Sequence, residues 1–325
     1  MSTISRALNN HPDINTETKE MIYAKIKELG YVPNNNARNL KKTESNTIAV
    51  LVKGMTNPFF NHMIKVMEPV IMAKKYQMVI QHVDPNEDEL DVALELVKER
   101  RLKGIVFLGG VIKRSSGKLE QLNVPFVLST VSCQLDDFGI NNYSSVSVDD
   151  AKESYKVTRY LIQKGHKKIA LLAAAENDTS IGLIRLSGYK RALEEAGIEY
   201  DPSLVRYLKP GMEEYTMENG FGLTMDLFKD KCDFTALFAI ADTMAIGAAK
   251  AILEKGKRIP EDIAVIGFDG IEMCKYYHPA ISSLAQPIDE IAEETIRILF
   301  KVIEGENAHQ HVIFEGKLVE RESTK

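Results

Sequence analysis

Pro260-Glu261-Asp262-Ile263-Ala264-Val265-Ile266-Gly267-Phe268-Asp269-Gly270 is the stretch on which the reading of this chain turns. From Ile263 to Phe268 every side chain is apolar or absent, with no alternation of polar and apolar residues. A short run of that kind is a strand buried on both faces, and Asp269-Gly270 marks the turn at its carboxyl end. Runs of the same texture recur at 48–52, 78–83, 104–108, 125–128, 168–173 and 236–240. Most are followed or separated by amphipathic helical patterns, among them 60–74, 87–101, 151–164, 184–196 and 242–255. Strand and helix in alternation mean βαβ units and parallel sheets. The pattern continues over too much of the chain for one Rossmann-like sheet, so two α/β lobes are expected.

In open α/β sheets, ligands bind beyond the carboxyl ends of the strands. The residues at those places are Lys53, Asn57-Pro58-Phe59-Phe60, Thr130, Asp242 and Asp269. This mixture of polar and aromatic groups suits a small polar ligand. Asp242 has a second reading as a helix N-cap, since it precedes Thr243-Met244-Ala245.

Bulk properties narrow the class. The 325 residues suffice for two or three units with real cores, and the net charge of −5 argues against a basic nucleic-acid coat. Charge is unevenly spread: residues 1–47 carry seven basic and five acidic side chains, a net +2, so the remainder of a chain of net −5 carries −7. A mildly basic end on an acidic body fits a small DNA-contacting piece on a larger domain. The three cysteines, Cys133, Cys232 and Cys274, form no CxxC, which disfavours zinc and a disulfide framework and fits a reducing cytoplasm. No apolar run approaches a membrane span, and the polar start does not read as a signal peptide.

Enzyme signatures are missing from the sequence. There is no GxGxxG after the first strand, no GxxxxGK[ST] and no GxSxG. His309 and His311 alternate along an expected strand and so share a face, without a third ligand nearby, a weak case for metal. No metal, cofactor or catalytic constellation is expected. The acidic group Asp84, Glu87, Asp88, Glu89 and Asp91 reads as a solvated loop and helix start.

Before the first strand, residues 16–29 read as an amphipathic helix with Asn15 as N-cap and Gly30 closing it. The polar stretch that follows, with Ala37-Arg38-Asn39-Leu40 inside it, reads as a linker.

Together these motifs resemble the LacI/GalR family of transcriptional regulators over nearly the whole chain. The likeness is carried by Ser2-Thr3-Ile4-Ser5-Arg6-Ala7-Leu8-Asn9, Glu28-Leu29-Gly30-Tyr31-Val32-Pro33-Asn34, Ala37-Arg38-Asn39-Leu40 and Thr56-Asn57-Pro58-Phe59-Phe60. It continues through Gly165-His166-Lys167-Lys168-Ile169-Ala170, Arg185-Leu186-Ser187-Gly188-Tyr189, Asp242-Thr243-Met244-Ala245-Ile246-Gly247, the stretch quoted first, and Arg321-Glu322-Ser323-Thr324. Each motif alone is weak to moderate; their order and spacing are specific.

The resemblance implies an α/β fold: a two-lobed, periplasmic-binding-protein-like core of two parallel-sheet Rossmann-like subdomains. A partial all-α helix-turn-helix headpiece (1–33) and a hinge helix or linker (34–46) precede the core (47–325). The chain would cross between lobes near Ser147, Pro287 and Val312. This makes the N-lobe about 47–146 and 288–311, and the C-lobe about 147–287 and 312–325. The implied function is a cytoplasmic, homodimeric regulator, a repressor of a sugar-utilisation operon, with operator DNA and a small sugar or sugar-phosphate effector as partners. The alternative is a sugar sensor with a deficient headpiece that does not bind DNA by itself.

Roles follow from the same resemblance. Ser2, Thr3 and Arg6 would read base edges in the major groove. Asn15 and Thr16, at a helix N-terminus, would hold a phosphate through backbone N–H groups. Ala37 lies in the hinge helix, where Leu40 would wedge into the minor groove and kink the duplex. The headpiece motif starts at Met1 midway through its recognition helix. The expectation for this chain is therefore an intact ligand-binding dimer with residues 1–46 loosely ordered and weakened DNA affinity. Between the lobes the implied effector contacts are Lys53, Asn57, Phe59, Phe60, Thr130, Arg185, Tyr215, Asp242, Asp269 and Gln286. Asp269 would accept hydroxyl protons, Arg185 would donate, and Phe60 or Tyr215 would cover a sugar ring. Sugar-binding members often carry Asn where this chain has Ala241, and Asp where it has Thr130. With Lys53-Gly54 after the first strand, these departures motivate a phosphorylated or acidic sugar as a hypothesis.

Overall fold

The computed structural model describes residues 14–28, 46–113, 117–134, 139–176, 181–208, 214–306 and 309–325. Ser2, Thr3, Arg6, Ala37 and Leu40 lie outside them. The chain divides into two compact units, Met1–Ser45 and Asn46–Lys325. In the first, helix α1 (Thr16–Glu28) is described. Asn15 caps it: its side-chain oxygen accepts from the Thr18 N–H at 2.7 Å, satisfying one of the donors that a helix start leaves free.

The second unit holds two lobes. The first is begun by β1 (Thr47–Lys53), α2 (Pro58–Ala73), β2 (Gln77–Val83), α3 (Glu89–Glu99), β3 (Leu102–Leu108), β4 (Val111–Lys113), α4 (Lys118–Gln121), β5 (Phe126–Ser129), β6 (Ser132–Gln134) and β7 (Ser144–Val148). The second lobe is built by α5 (Asp150–Gln163), β8 (Ile169–Ala175), α6 (Ile181–Glu195), β9 (Val205–Leu208), α7 (Met217–Lys229), β10 (Ala236–Ala239), α8 (Asp242–Glu254), β11 (Ala264–Asp269), α9 (Met273–Tyr276) and β12 (Ser282–Ala285). Helix α10 (Ile288–Ile303) and β13 (His311–Phe314) return to the first lobe, and β14 (Lys317–Val319) to the second.

The strand orders are β13-β7-β5-β3-β1-β2 and β14-β12-β11-β10-β8-β9. All pairings in the first sheet are parallel. In the second, only β12 with β14 is antiparallel. The apolar runs explain why. On β1, Ile48, Val50 and Val52 join one core cluster while Ala49 and Leu51 join another, because successive side chains leave opposite faces of the sheet. A strand apolar at every position needs helices on both faces. Edge strand β2 is partly open on both faces: Gln77 and Gln81 fall on one and Ile80 on the other.

Strand pairing corrects two of the expected crossings. His311–Phe314 aligns with Ser145–Val148, so the chain stays in the first lobe past Val312 and crosses at 315–316. Likewise Ser147 still belongs to β7, and the first crossing falls at Asp149, which caps α5 by accepting from the Lys152 N–H at 3.0 Å. An alternating strand announces itself in sequence, but its sheet is set by its pairing partner. The other crossing lies between β12 and α10.

Two helix contacts rest on missing side chains. A Cβ at Gly220 would stand 2.1 Å from the Met244 carbonyl oxygen, and one at Gly247 would stand 1.9 Å from that of Met217. Helices α7 and α8 therefore touch backbone to backbone. No described helix is long and apolar enough to cross a membrane.

Candidate functional site

The loops after β1, β3, β5, β10 and β11 converge on a cleft of about 390 Å³. That volume is within the range of small-ligand pockets, about 300–1,000 Å³. Lys53, Asn57, Phe59, Phe60 and Thr130 line it from the first lobe, and Arg185, Tyr215, Asp269 and Gln286 complete it.

A buried charge network forms the part of the cleft between the lobes. Arg185, on α6, donates from Nε to Asp150 Oδ1 at 2.8 Å and from Nη1 to the Ile240 carbonyl. Its Nη1 lies 3.7 Å from Asp269 Oδ1, and its guanidinium stacks 3.6 Å over the Phe268 ring. Asp269 accepts from Gln286 Nε2 at 2.9 Å and from Asn57 Nδ2 at 3.1 Å. The Asn57 bond crosses from one lobe to the other. The same side chain caps α2, its oxygen accepting from the Phe59 N–H at 3.1 Å. Burial pushes the Asp269 carboxyl up to about 6, against the opposing pull of Arg185 and of the bonds from Asn57 and Gln286. Thr130 Oγ1 is buried with no hydrogen-bond partner among the described residues.

Backbone strain gathers here. Thr130, Tyr215 and Asp269 have φ of 52°, 60° and 121°, left-handed values for residues other than glycine. Such conformations persist where surrounding structure enforces them, and they favour functional sites. At Tyr215 the carbonyl accepts from the Thr243 hydroxyl.

Beside Asp269 the enforcing group is Asp242, which corrects an expectation. Asp242 is fully buried, does not line the cleft, and makes no helix-capping bond. Its Oδ2 accepts instead from the Gly270 and Ile271 N–H groups at 2.7 and 2.8 Å, pinning the turn that follows Asp269. Room for it comes from Gly267, where a Cβ would sit 2.1 Å from Asp242 Oδ1. Burial, with the nearby Asp269 charge, pushes the Asp242 carboxyl up to about 7. Neighbouring Cys274 is pushed up too, by burial first and then by Asp242. Asp242 positions the site without facing it.

A second stretch of the cleft lies over the first lobe alone, lined by Lys53, His82, 85–89 and 109–111. Lys53 Nζ donates to the Glu87 carbonyl at 2.8 Å and pairs with buried Glu89 at 3.3 Å. Glu89 also accepts from the Val111 N–H at 2.9 Å. The acidic segment is the exposed loop and helix start expected, with Asp88 capping α3, and it also forms a wall of the cleft. The rule that finds Asp269 also finds these residues, since they follow β2 and β3.

The cleft walls carry Glu87, Asp88, Glu89, Glu214 and Asp269 against Lys53 and Arg185, and both cations are paired with carboxylates. The excess of carboxylates weighs against an anionic ligand. His309 and His311 contact Ser144 and Ser145 at 3.2 and 2.8 Å. Among the described residues no cluster of three or more histidine, cysteine or acidic side chains is placed to hold a metal.

Comparison with known proteins gives matching results at both ends of the chain. Residues 1–34 match the family model "Bacterial regulatory proteins, lacI family", and residues 158–324 match "Periplasmic binding protein-like domain". The HTH-type transcriptional regulator MalR of Clostridium butyricum is 38% identical over 325 residues, covering 99% of this chain and 95% of the relative. A solved complex of the transcriptional regulator CelR with cellobiose is 27% identical, with a TM-score of 0.74 over 98% of this chain and 94% of that one. A LacI-family regulator from Enterococcus faecium with bound ribose is 26% identical, with a TM-score of 0.73 over 85% of this chain and 98% of that one.

Proposed function

The chain belongs to the LacI family of bacterial regulatory proteins, and from that premise we propose that it is a homodimeric repressor whose hold on operator DNA is set by a neutral sugar bound between its lobes. The observation that carries the reading is the network of Arg185, Asp269, Asn57 and Gln286 at the cleft. Sugar hydroxyls both donate and accept, so one ring can satisfy the Asp269 carboxylate, the Arg185 guanidinium and the Thr130 hydroxyl together. Phe60 and Tyr215 offer apolar surface for the ring's carbon face. Lys53 and Arg185 had suggested a phosphorylated effector, but both are already compensated and the walls are acidic. A neutral sugar is the better fit, in keeping with the cellobiose and ribose held by the two related structures.

Hinged movement of two lobes alters the spacing of whatever they carry. A dimer of such cores would convert effector binding into a change of half-site spacing on cytoplasmic DNA. Within the DNA-binding part, Ser2, Thr3 and Arg6 are proposed as base readers, Asn15 and Thr16 as phosphate contacts, and Ala37 and Leu40 as the hinge and its wedge. The test is polarisation-detected binding to operator duplex, at several salt concentrations, with and without sugars. Salt-sensitive, sequence-specific binding that a neutral sugar shifts is expected. A sugar that binds the core and leaves DNA affinity unchanged would sink the repressor reading. Glucose 6-phosphate binding more tightly than glucose would sink the neutral one.

A further inference from the structure

Charge is sorted along the first lobe. Beyond the strand ends stands the acidic cleft wall of Glu87, Asp88 and Glu89, while the strand starts carry a cationic edge. Residues 47–149 hold eleven lysines and arginines, and six stand at that edge: Lys74, Lys75, Lys98, Arg100, Arg101 and Lys103. They come from the ends of α2 and α3 and from the start of β3. No acid occurs in the two residues that precede any of the six strands of this sheet. Glu99 is exposed among the cations, while Glu304 and Glu306, after α10, are held by Lys74 and Lys301 at 3.2 Å each. Arg101 and Lys103 have partners of their own. Lys75, Lys98 and Arg100 are exposed and make no ion pair among the described residues.

Helix ends explain part of this. A cation in the last turn of a helix, or just past it, offsets the helix dipole, which covers Lys74, Lys98 and Arg100. It does not cover Arg101 and Lys103, at the start of β3. The edge is also where the core joins the segment before it. Thr47 has Gln77 on one side and Leu102 on the other as register partners, and the Gln77 N–H donates to the Asn46 carbonyl at 2.7 Å. Neighbouring strands lie about 4.8 Å apart, so the two cationic segments flank Asn46 about 10 Å from each other. Six residues carry the chain from Leu40 to Asn46, a length of at most about 20 Å. DNA wedged by Leu40 would therefore be tethered close to a row of cations.

We propose that this edge is a second DNA-contacting surface, which takes backbone phosphates flanking the operator through Lys75, Lys98 and Arg100. The inference rests on the reading of residues 1–46 as a DNA-binding segment. Flexible cations on helix ends meet phosphates from outside the grooves, so they add affinity without reading sequence. Each neutralised phosphate releases counterions, so the surface shows itself as salt dependence, about 0.9 per contact in log K against log salt. The sorting of charge also orients the lobe. The duplex attracts the strand starts and repels the acidic cleft wall, which leaves the cleft open to effector.

Fluorescence polarisation on the full chain tests this, with a labelled mixed-sequence duplex of about 30 bp in about 50 to about 200 mM potassium chloride. Lys75→Gln combined with Lys98→Gln and Arg100→Gln should lower the log–log slope by about 2 to 3. At the low-salt end it should weaken binding at least about tenfold. Lys229→Gln combined with Lys255→Gln and Lys257→Gln removes the same charge from exposed helix ends of the second lobe, and should leave the slope as it is. Arg100→Gln alone, expected to lower the slope by about 1, serves should the triple variant fail to fold. An unchanged slope in the edge variants, or an equal drop in both triple variants, overturns the surface and leaves the DNA-binding reading standing. No binding of the duplex by the parent chain at any salt concentration removes that reading and the surface with it.

Discussion

Two demands meet at Asp269. It must be ionised to accept hydroxyl protons, yet it is 3% exposed, and burial raises its carboxyl to about 6. A ligand that donates to the carboxylate favours the ionised form, so effector affinity should climb as pH rises through about 6 and level off above it. Calorimetry across that range checks this, and Asp269→Asn should flatten the profile while lowering affinity at least about tenfold, as losing a hydrogen bond to a charged group does. An affinity independent of pH in the parent chain would mean that the sugar bonds elsewhere. At this scale the sequence was most legible where a residue follows a strand. It misled at Asp242, also at a strand end, because the direction of a side chain depends on what lies behind it. There, Gly267 leaves a space and Gly270 and Ile271 present two N–H groups, so the carboxylate turns inward. No spacing rule contains that information.

Among elements, the α7–α8 contact is the most sensitive. Gly247→Ala would drive a methyl into the Met217 carbonyl, 1.9 Å away, and Gly220→Ala would do the same to Met244. Each should cost about 1–3 kcal/mol in urea unfolding, the usual penalty for overfilling a packed contact. Gly222→Ala, on the same helix with open space around its Cβ position, is the control and should raise stability by up to about 1 kcal/mol. Elements built from continuous apolar runs were readable because burial on both faces leaves no other interpretation. Those at the margins were not. Strand β7 mixes serine with valine, β9 is four residues with Arg206 and Tyr207 half-buried, and β13 and β14 are short edge strands. Their membership is decided by pairing with distant segments, which periodicity does not report. The acidic segment at 84–91 is the exposed loop and helix start that its charges suggested, except at Glu89, which is buried against Lys53 and Val111.

For the molecule as a whole, the raised carboxyls give stability a sign. Asp242 and Asp269 titrate near about 7 and about 6 when folded, against 3.8 ordinarily. Between those values the folded chain retains protons that the unfolded chain has released, so stability should fall as pH rises from about 4 to about 7 and then level. Urea unfolding against pH measures the slope. Asp242→Asn should reduce it, and an unchanged slope would assign the pH dependence to other groups. Assembly gives a second whole-molecule expectation. Val70 and Met72 on α2 are exposed, as is Ile80 on edge strand β2. A dimer that covers them should dissociate in Met72→Glu combined with Ile80→Glu, seen by sedimentation as a halved mass. An unchanged mass would move the interface elsewhere. Two lobes were legible from the number of βα repeats; the charge balance of the cleft was not, since it required knowing which loops meet.

The Asn57–Asp269 bond joins the two lobes across the cleft. An effector enclosed between the lobes would have to wait for that bond to break before it escapes. Occupancy would then decay on the timescale of lobe opening, whatever the speed of diffusion. A regulator built this way ignores brief dips in its sugar and responds to sustained loss. Asn57 therefore holds a position from which a single side chain can set how long the cell remembers a meal.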